Sequence, residues 1–197
     1  MDNSMRINFI SGVSYLLVII FGLSSYLLFK MPNINAIPSN GDFHWVITLD
    51  TLMVIFDAVL SVSLFVLFKD KNFFLASLAL LFKAFQSLCI LTAIIVLIIN
   101  YNSPLGVKNS YHIYDIVFDY GLIYFSISLS IYSYQIYKSY NYPKLLSFMV
   151  MISSLIYFLG SISNIVSNNN PYIEKLYIIV LISELYFCYC LLFYKRE

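Results

Sequence analysis

Residues 73–99 read FFLASLALLFKAFQSLCILTAIIVLII, a run in which Lys83 is the one charged residue. A helix needs roughly 20 apolar residues to cross the hydrocarbon core of a bilayer. The run is long enough to do so, and the tight charged turn Lys69-Asp70-Lys71 precedes it. We therefore predict a transmembrane helix over 73–99.

The same composition continues on both sides of this run. Over the whole chain 61% of residues are apolar and 11% are charged, whereas soluble domains carry about 25% charged residues. The formal net charge is +1, and no run rich in Lys or Arg occurs. We therefore predict that the protein does not bind nucleic acid. The predicted partner is the lipid bilayer.

Turn and charge signals divide the apolar sequence into six runs. Polar segments such as 40–42 and 100–106 are predicted loops, because they contain Asn, Gly and Pro. We predict an all-α fold, a six-transmembrane-helix bundle with short loops, in which residues 1–197 form a single integral membrane domain. The predicted helices are 7–29, 46–68, 73–99, 114–137, 145–166 and 172–194.

Positive charge is distributed unevenly between the two sides of the predicted bundle. Cytoplasmic loops carry an excess of Lys and Arg, and six helices place both termini on one side. One side has Arg6, Lys69, Lys71, Lys138, Lys144, Lys195 and Arg196, and the other has Lys30, Lys108 and Lys175. We predict a cytoplasmic (bacterial inner) membrane protein with its N-terminus and C-terminus inside.

Two charged residues are predicted to meet in the middle of the membrane. Asp57 lies thirteen residues before Asp70, and Lys83 lies thirteen residues after it. At ~1.5 Å rise per residue both are roughly 20 Å from the turn, at the same depth of a helix hairpin. A charge at that depth is costly, so we predict that the two side chains form an ion pair.

Glu184, eleven residues before Lys195, is predicted to lie in the same layer. Lys83 can satisfy one carboxylate fully, so the second acid is expected to hold a proton. Gln86, one turn after Lys83, could line the same pocket. Two interpretations stay open: a structural ion pair that fixes helix register, or a layer that binds or transports a small molecule or ion.

Polar residues also recur along the fourth predicted helix at steps of three, four or seven. This spacing places Asp119, Ser126, Ser130 and Ser133 on one face, which cannot lie against lipid. The face either lines a hydrated cavity or packs against a neighbouring helix through its serines. We predict that it is turned inward.

Metal-ligand residue types gather near the other end of the second and fourth predicted helices. Zn²⁺ accepts His and carboxylate ligands, and the candidates are His44, Asp50, His112, Asp115 and Asp119. The alternative function is therefore a membrane-embedded metal-dependent hydrolase that acts on a lipid-like substrate. No motif such as HExxH is present, and no cofactor is predicted.

Several segments together resemble one protein family. They are 11–22 (SGVSYLLVIIFG), the acid Asp57, the base Lys83, and 137–146 (YKSYNYPKLL). On these features the chain resembles the bacterial membrane proteins grouped as the DUF4386 family, from Ile7 to about Val166. The resemblance implies a multi-pass membrane protein, and it implies no reaction because that family is a domain of unknown function.

Overall fold

The structure, a computed structural model, describes residues 3–27, 40–99, 104–139, 141–167 and 171–193. These residues form six helices, and the described ranges contain no strand. The helices are α1 (Asn3–Ser25), α2 (Asn40–Phe68), α3 (Phe73–Ile99), α4 (Pro104–Lys138), α5 (Lys144–Ser167) and α6 (Pro171–Phe193).

Each of the six helices is long and apolar enough to cross a membrane. The predicted all-α fold of six spanning helices is confirmed. Large apolar side chains on the outer surface are exposed, among them Val62, Leu88, Phe148 and Ile178. Because this perimeter is apolar and buried polar groups point inward, the protein presents to lipid the surface that a membrane bundle requires.

Three helices begin several residues earlier than the sequence predicted. α1 begins at Asn3 rather than at residue 7, α2 begins at Asn40 rather than at 46, and α4 begins at Pro104 rather than at 114. Residues 40–42 and 104–106, which we predicted as loops, are therefore helical. Proline is favoured at the first position of a helix, and a helix can continue past the hydrocarbon core with polar residues. The predicted helix ends at 28–29 and 194 lie outside the described residues.

The six helices form a closed ring in chain order. Each of α1 to α6 packs against its neighbours in sequence, and α6 also packs against α1. At this closure the two helices approach closely, since a Cβ atom on Gly12 would lie 2.6 Å from Leu192 Cγ. Glycine thus allows α1 and α6 to meet.

The turns after α2 and α4 lie on one side of the bundle, together with the start of α1 and the end of α6. The Lys71 ammonium donates to Ser139 Oγ, which joins the turn after α2 to the turn after α4. The Tyr142 hydroxyl donates to Asn8 Oδ1 at 3.4 Å, which brings in the start of α1. We call this the basic end. The described starts and ends of the chain thus lie on one side, and the assignment of that side to the cytoplasm stays a prediction.

Serine side chains join α4 to α5. Ser133 Oγ donates to the Ser147 carbonyl at 2.8 Å, and Ser147 Oγ donates to the Ser133 carbonyl at the same distance. Further along, Ser154 Oγ donates to the Ser126 carbonyl at 2.9 Å and contacts Ser130 Oγ. Small hydroxyl residues let the two backbones approach and hydrogen-bond across the interface.

Candidate functional site

The centre of the ring holds a buried ion pair. The Lys83 ammonium on α3 donates to Asp57 Oδ1 on α2, and each side chain is 2% exposed. Asp57 also accepts from Ser87 Oγ at 3.3 Å. The equal offsets from the turn at Asp70 therefore placed the two residues at a common depth, and the structure contains the contact that the sequence predicted.

Lys83 has further partners that use the rest of its donor capacity. Its ammonium donates to Gln86 Oε1 at 3.1 Å. It also lies 4.2 Å from the centre of the Phe125 ring on α4. A cation over an aromatic face is attracted by the negative electrostatic potential of that face. Lys83 thus contacts a carboxylate, an amide and an aromatic ring.

A second acid lies in the same layer. Glu184 on α6 is buried, and its Oε1 accepts from the Tyr157 hydroxyl on α5 at 2.9 Å. Tyr15 on α1 approaches the same carboxyl group, and Lys83 and Asp57 lie within electrostatic range of it. Among the described residues Glu184 forms no salt bridge, because Lys83 is paired with Asp57.

Every helix of the ring thus contributes to one central group of side chains. We call this group the central cluster. It contains two carboxyl groups, one ammonium, one amide and three aromatic rings: Tyr15, Asp57, Lys83, Gln86, Phe125, Tyr157 and Glu184. A charge cluster assembled from six helices depends on the closed ring, since loss of one helix would open it to lipid.

The sequence analysis missed two polar residues on α4 below this cluster. Tyr132 is 1% exposed and Gln135 is 2% exposed. The Tyr132 hydroxyl and Gln135 Oε1 have no hydrogen-bond partner within the described ranges. The available signal was the three-residue spacing of Tyr132 and Gln135, which is followed by Ser139 four residues later.

The predicted polar stripe on α4 lies inward, toward α5. Asp119 is buried and accepts from Asn164 Nδ2 at 3.4 Å. Ser130 and Ser133 contact serines of α5 through their side chains, and the Ser126 carbonyl accepts from Ser154, so this face packs against α5. Ser133 also lines the groove that lies on the outer surface between α4 and α5. These contacts favour the packing interpretation for the three serines, and a ligand-binding role of the stripe stays a prediction.

The structure does not bring the five candidate metal ligands together. In the parts of the chain that the structure describes, no group of three or more His, Cys, Asp or Glu side chains could hold a metal ion. His44, His112 and Asp115 are exposed near the helix ends. Asp50 is buried and accepts from the Tyr114 hydroxyl, and Asp119 faces α5. The five candidates thus share an end of the bundle, but Asp50 contacts Tyr114 whereas Asp119 contacts Asn164 on α5.

Two grooves lie on the outer surface of the bundle. One is lined by Ile10 on α1 and by 58–59 and 62–63 on α2. The other lies between α4 and α5 beside Tyr137 and Lys144. Neither groove is lined by a residue of the central cluster.

Comparison with known proteins gives a family and no activity. The family model described as a domain of unknown function, DUF4386, matches residues 10–194, nearly the whole chain. No curated protein gave a significant match, and no solved structure did. The matched range includes Asp57, Lys83 and Glu184, together with all six helices. The chain, an integral membrane protein of six helices, therefore belongs to the DUF4386 family.

Proposed function

We propose that this protein binds a small ion or a small polar ligand at the central cluster and passes it across the membrane. The observation that carries the proposal is the second acid. One Lys83–Asp57 pair would suffice to fix the register of α2 and α3, whereas Glu184 adds a carboxyl group with no cation of its own.

Such a surplus acid has a cost. Placing an ionisable residue at bilayer depth costs roughly 2.5–3.5 kcal/mol even on the most lenient scale, and such residues typically mark ion or substrate pathways. The side chains around Glu184 are polar enough to accept a change of charge, since two tyrosines face it from α1 and α5. A purely structural role would be served better by an apolar residue at this position.

The test is a stability screen of the full chain in lipid nanodiscs. The probes are Na⁺, K⁺, Ca²⁺, chloride, inorganic phosphate, choline and protons supplied by a pH series. A ligand that binds the folded state at about 100 times its Kd adds roughly 2.7 kcal/mol of stability. We expect at least one probe to raise the melting temperature of the wild type, and Glu184→Gln to abolish that rise.

Asp70→Asn is the matched control, because it removes an acid from an exposed turn outside the central cluster. It should respond to the probe as the wild type does. A rise that persists in Glu184→Gln would place the binding site elsewhere. If no probe stabilises the wild type, the proposal fails.

A further inference from the structure

We infer that the ion taken up by the central cluster is a proton, and that it arrives from the basic end along a polar face formed by Tyr132 and Gln135 on α4 and by Ser139 in the turn after α4. This inference rests on the proposed function and names its ligand and its route. The face is distinct from the serine face that packs against α5.

The three residues of this route follow one another along the chain. Tyr132 and Gln135, three residues apart, lie on one side of α4. Ser139 follows in the turn after α4, and all three residues are buried. The ring of Phe68 packs beside Tyr132 with their centres 5.6 Å apart. The route therefore lies inside the ring of helices, between α4 and the turn that joins α2 to α3.

Two polar atoms on the route have no hydrogen-bond partner in the described part of the chain. These are the Tyr132 hydroxyl and Gln135 Oε1. Buried polar atoms are almost always hydrogen-bonded, to protein or to an ordered water molecule. A water molecule between helices needs two or more such polar partners. The two residues lie about one helical turn apart along α4, and the two atoms provide the donor and acceptor groups that a short water chain requires.

The two ends of the route lead to the cluster and to solvent. Tyr132 lies within electrostatic range of Asp57, and helical side chains tilt toward the N-terminus, which for α4 is the direction of the cluster. At the other end, Gln135 Nε2 donates to the Asn72 carbonyl at 3.3 Å. Ser139 accepts from Lys71, whose side chain is exposed.

A proton fits the cluster better than a larger ion. Glu184 is faced by Tyr15 and Tyr157 from the helices packed against it, with Lys83 and Asp57 across the ring. These neighbours offer no second free carboxylate to complete a metal shell. A proton needs no shell: it bonds to one carboxylate oxygen of Glu184, gives a neutral acid, and leaves again without any electron transfer.

Infrared spectroscopy of the full chain in lipid nanodiscs tests both parts of the inference. A protonated carboxyl group has its own carbonyl band, which shifts when the proton is replaced by deuterium. We expect a pH-dependent band in the wild type that disappears in Glu184→Gln and remains in Asp70→Asn. After transfer into D₂O, the rate of the band shift reports how fast a proton reaches Glu184.

The route is tested by matched tyrosine variants of α4. Tyr132→Phe removes the buried hydroxyl, and Tyr134→Phe removes an exposed one from the same helix. We expect Tyr132→Phe to slow the exchange about tenfold, the factor that one lost hydrogen-bond partner is worth, and Tyr134→Phe to leave it unchanged. Gln135→Leu, which interrupts the route one turn further on, is expected to slow exchange as well.

The possible failures can be told apart. Equal exchange rates in Tyr132→Phe and Tyr134→Phe, with Gln135→Leu also unchanged, would refute the route. A carboxyl band that survives Glu184→Gln would refute the proton site. If the band survives while another probe ion stabilises the wild type and not Glu184→Gln, the proposed function stands and only this inference is wrong.

Discussion

Removal of either member of the Asp57–Lys83 pair is expected to destabilise the protein more than removal of both. Each side chain is almost fully buried in an apolar span, so a single substitution leaves one charge without its partner. Breaking a buried pair in this way costs roughly 3–5 kcal/mol, whereas replacing both members by uncharged residues is often close to neutral. The variants are Asp57→Asn, Lys83→Met and their combination.

The two single substitutions are not expected to be equal. After Asp57→Asn, Lys83 keeps Gln86 and the ring of Phe125. After Lys83→Met, Asp57 keeps the hydroxyl of Ser87, and the second acid of the same layer lies within electrostatic range with the Lys83 cation removed. Lys83→Met should therefore cost about 1–2 kcal/mol more than Asp57→Asn, the worth of hydrogen bonds to a charged group.

The assay is reversible unfolding of the purified protein in mixed micelles, from which the free energy of unfolding is obtained for all four forms. We expect the double variant to lose at least ~2 kcal/mol less than the sum of the single losses, as for coupled residues in contact. The control cycle combines Lys83→Met with Asp50→Asn, a buried acid two helical turns away, and should be additive. Simple addition in the Asp57 cycle would refute the reasoning.

Three further outcomes are expected from the fold. Ser133→Ala and Ser147→Ala should each lower the free energy of unfolding by about 1 kcal/mol, because reciprocal hydrogen bonds of these serines join α4 to α5. An unchanged free energy in both variants would contradict the contribution of this contact to stability. Gly12→Ala should cost roughly 1–3 kcal/mol by overpacking against Leu192, with partial recovery in the double variant with Leu192→Ala. Reporter fusions at the two termini should both show the cytoplasmic side, and fusions on opposite sides would contradict six spans.

The sequence was sufficient to predict the buried pair because depth in a helix hairpin is a matter of counting. The turn at 69–71 supplies the origin, and a constant rise per residue supplies the scale. Helix starts were predicted less well, since α2 and α4 extend beyond the apolar run into polar residues. Hydropathy indicates which residues of a helix lie in the hydrocarbon core of the bilayer. The helix itself can extend beyond that core, because its backbone hydrogen bonds continue through polar residues.

Counting residues along the helices could not predict the direction in which each side chain points. The candidate metal ligands share an end of the bundle, but they diverge because the rotation of each helix about its axis is set by packing with its neighbours. Tyr132 was missed for a related reason. A tyrosine is apolar over most of its surface, and only its surroundings decide whether its hydroxyl matters.

The position of the ion pair on two consecutive helices has a consequence for how the chain enters the membrane. Asp57 and Lys83 emerge from the ribosome within 26 residues of one another, on the two arms of one hairpin. Once the hairpin has formed, these two charges neutralise each other, so neither enters lipid alone when α2 and α3 leave the insertion machinery. Glu184 accepts a hydrogen bond from Tyr157 on α5, but it forms no salt bridge with a described residue of α5 or α6. We expect the hairpin of α5 and α6 to stay in contact with the insertion machinery until the ring of six helices can close around the Glu184 carboxyl group.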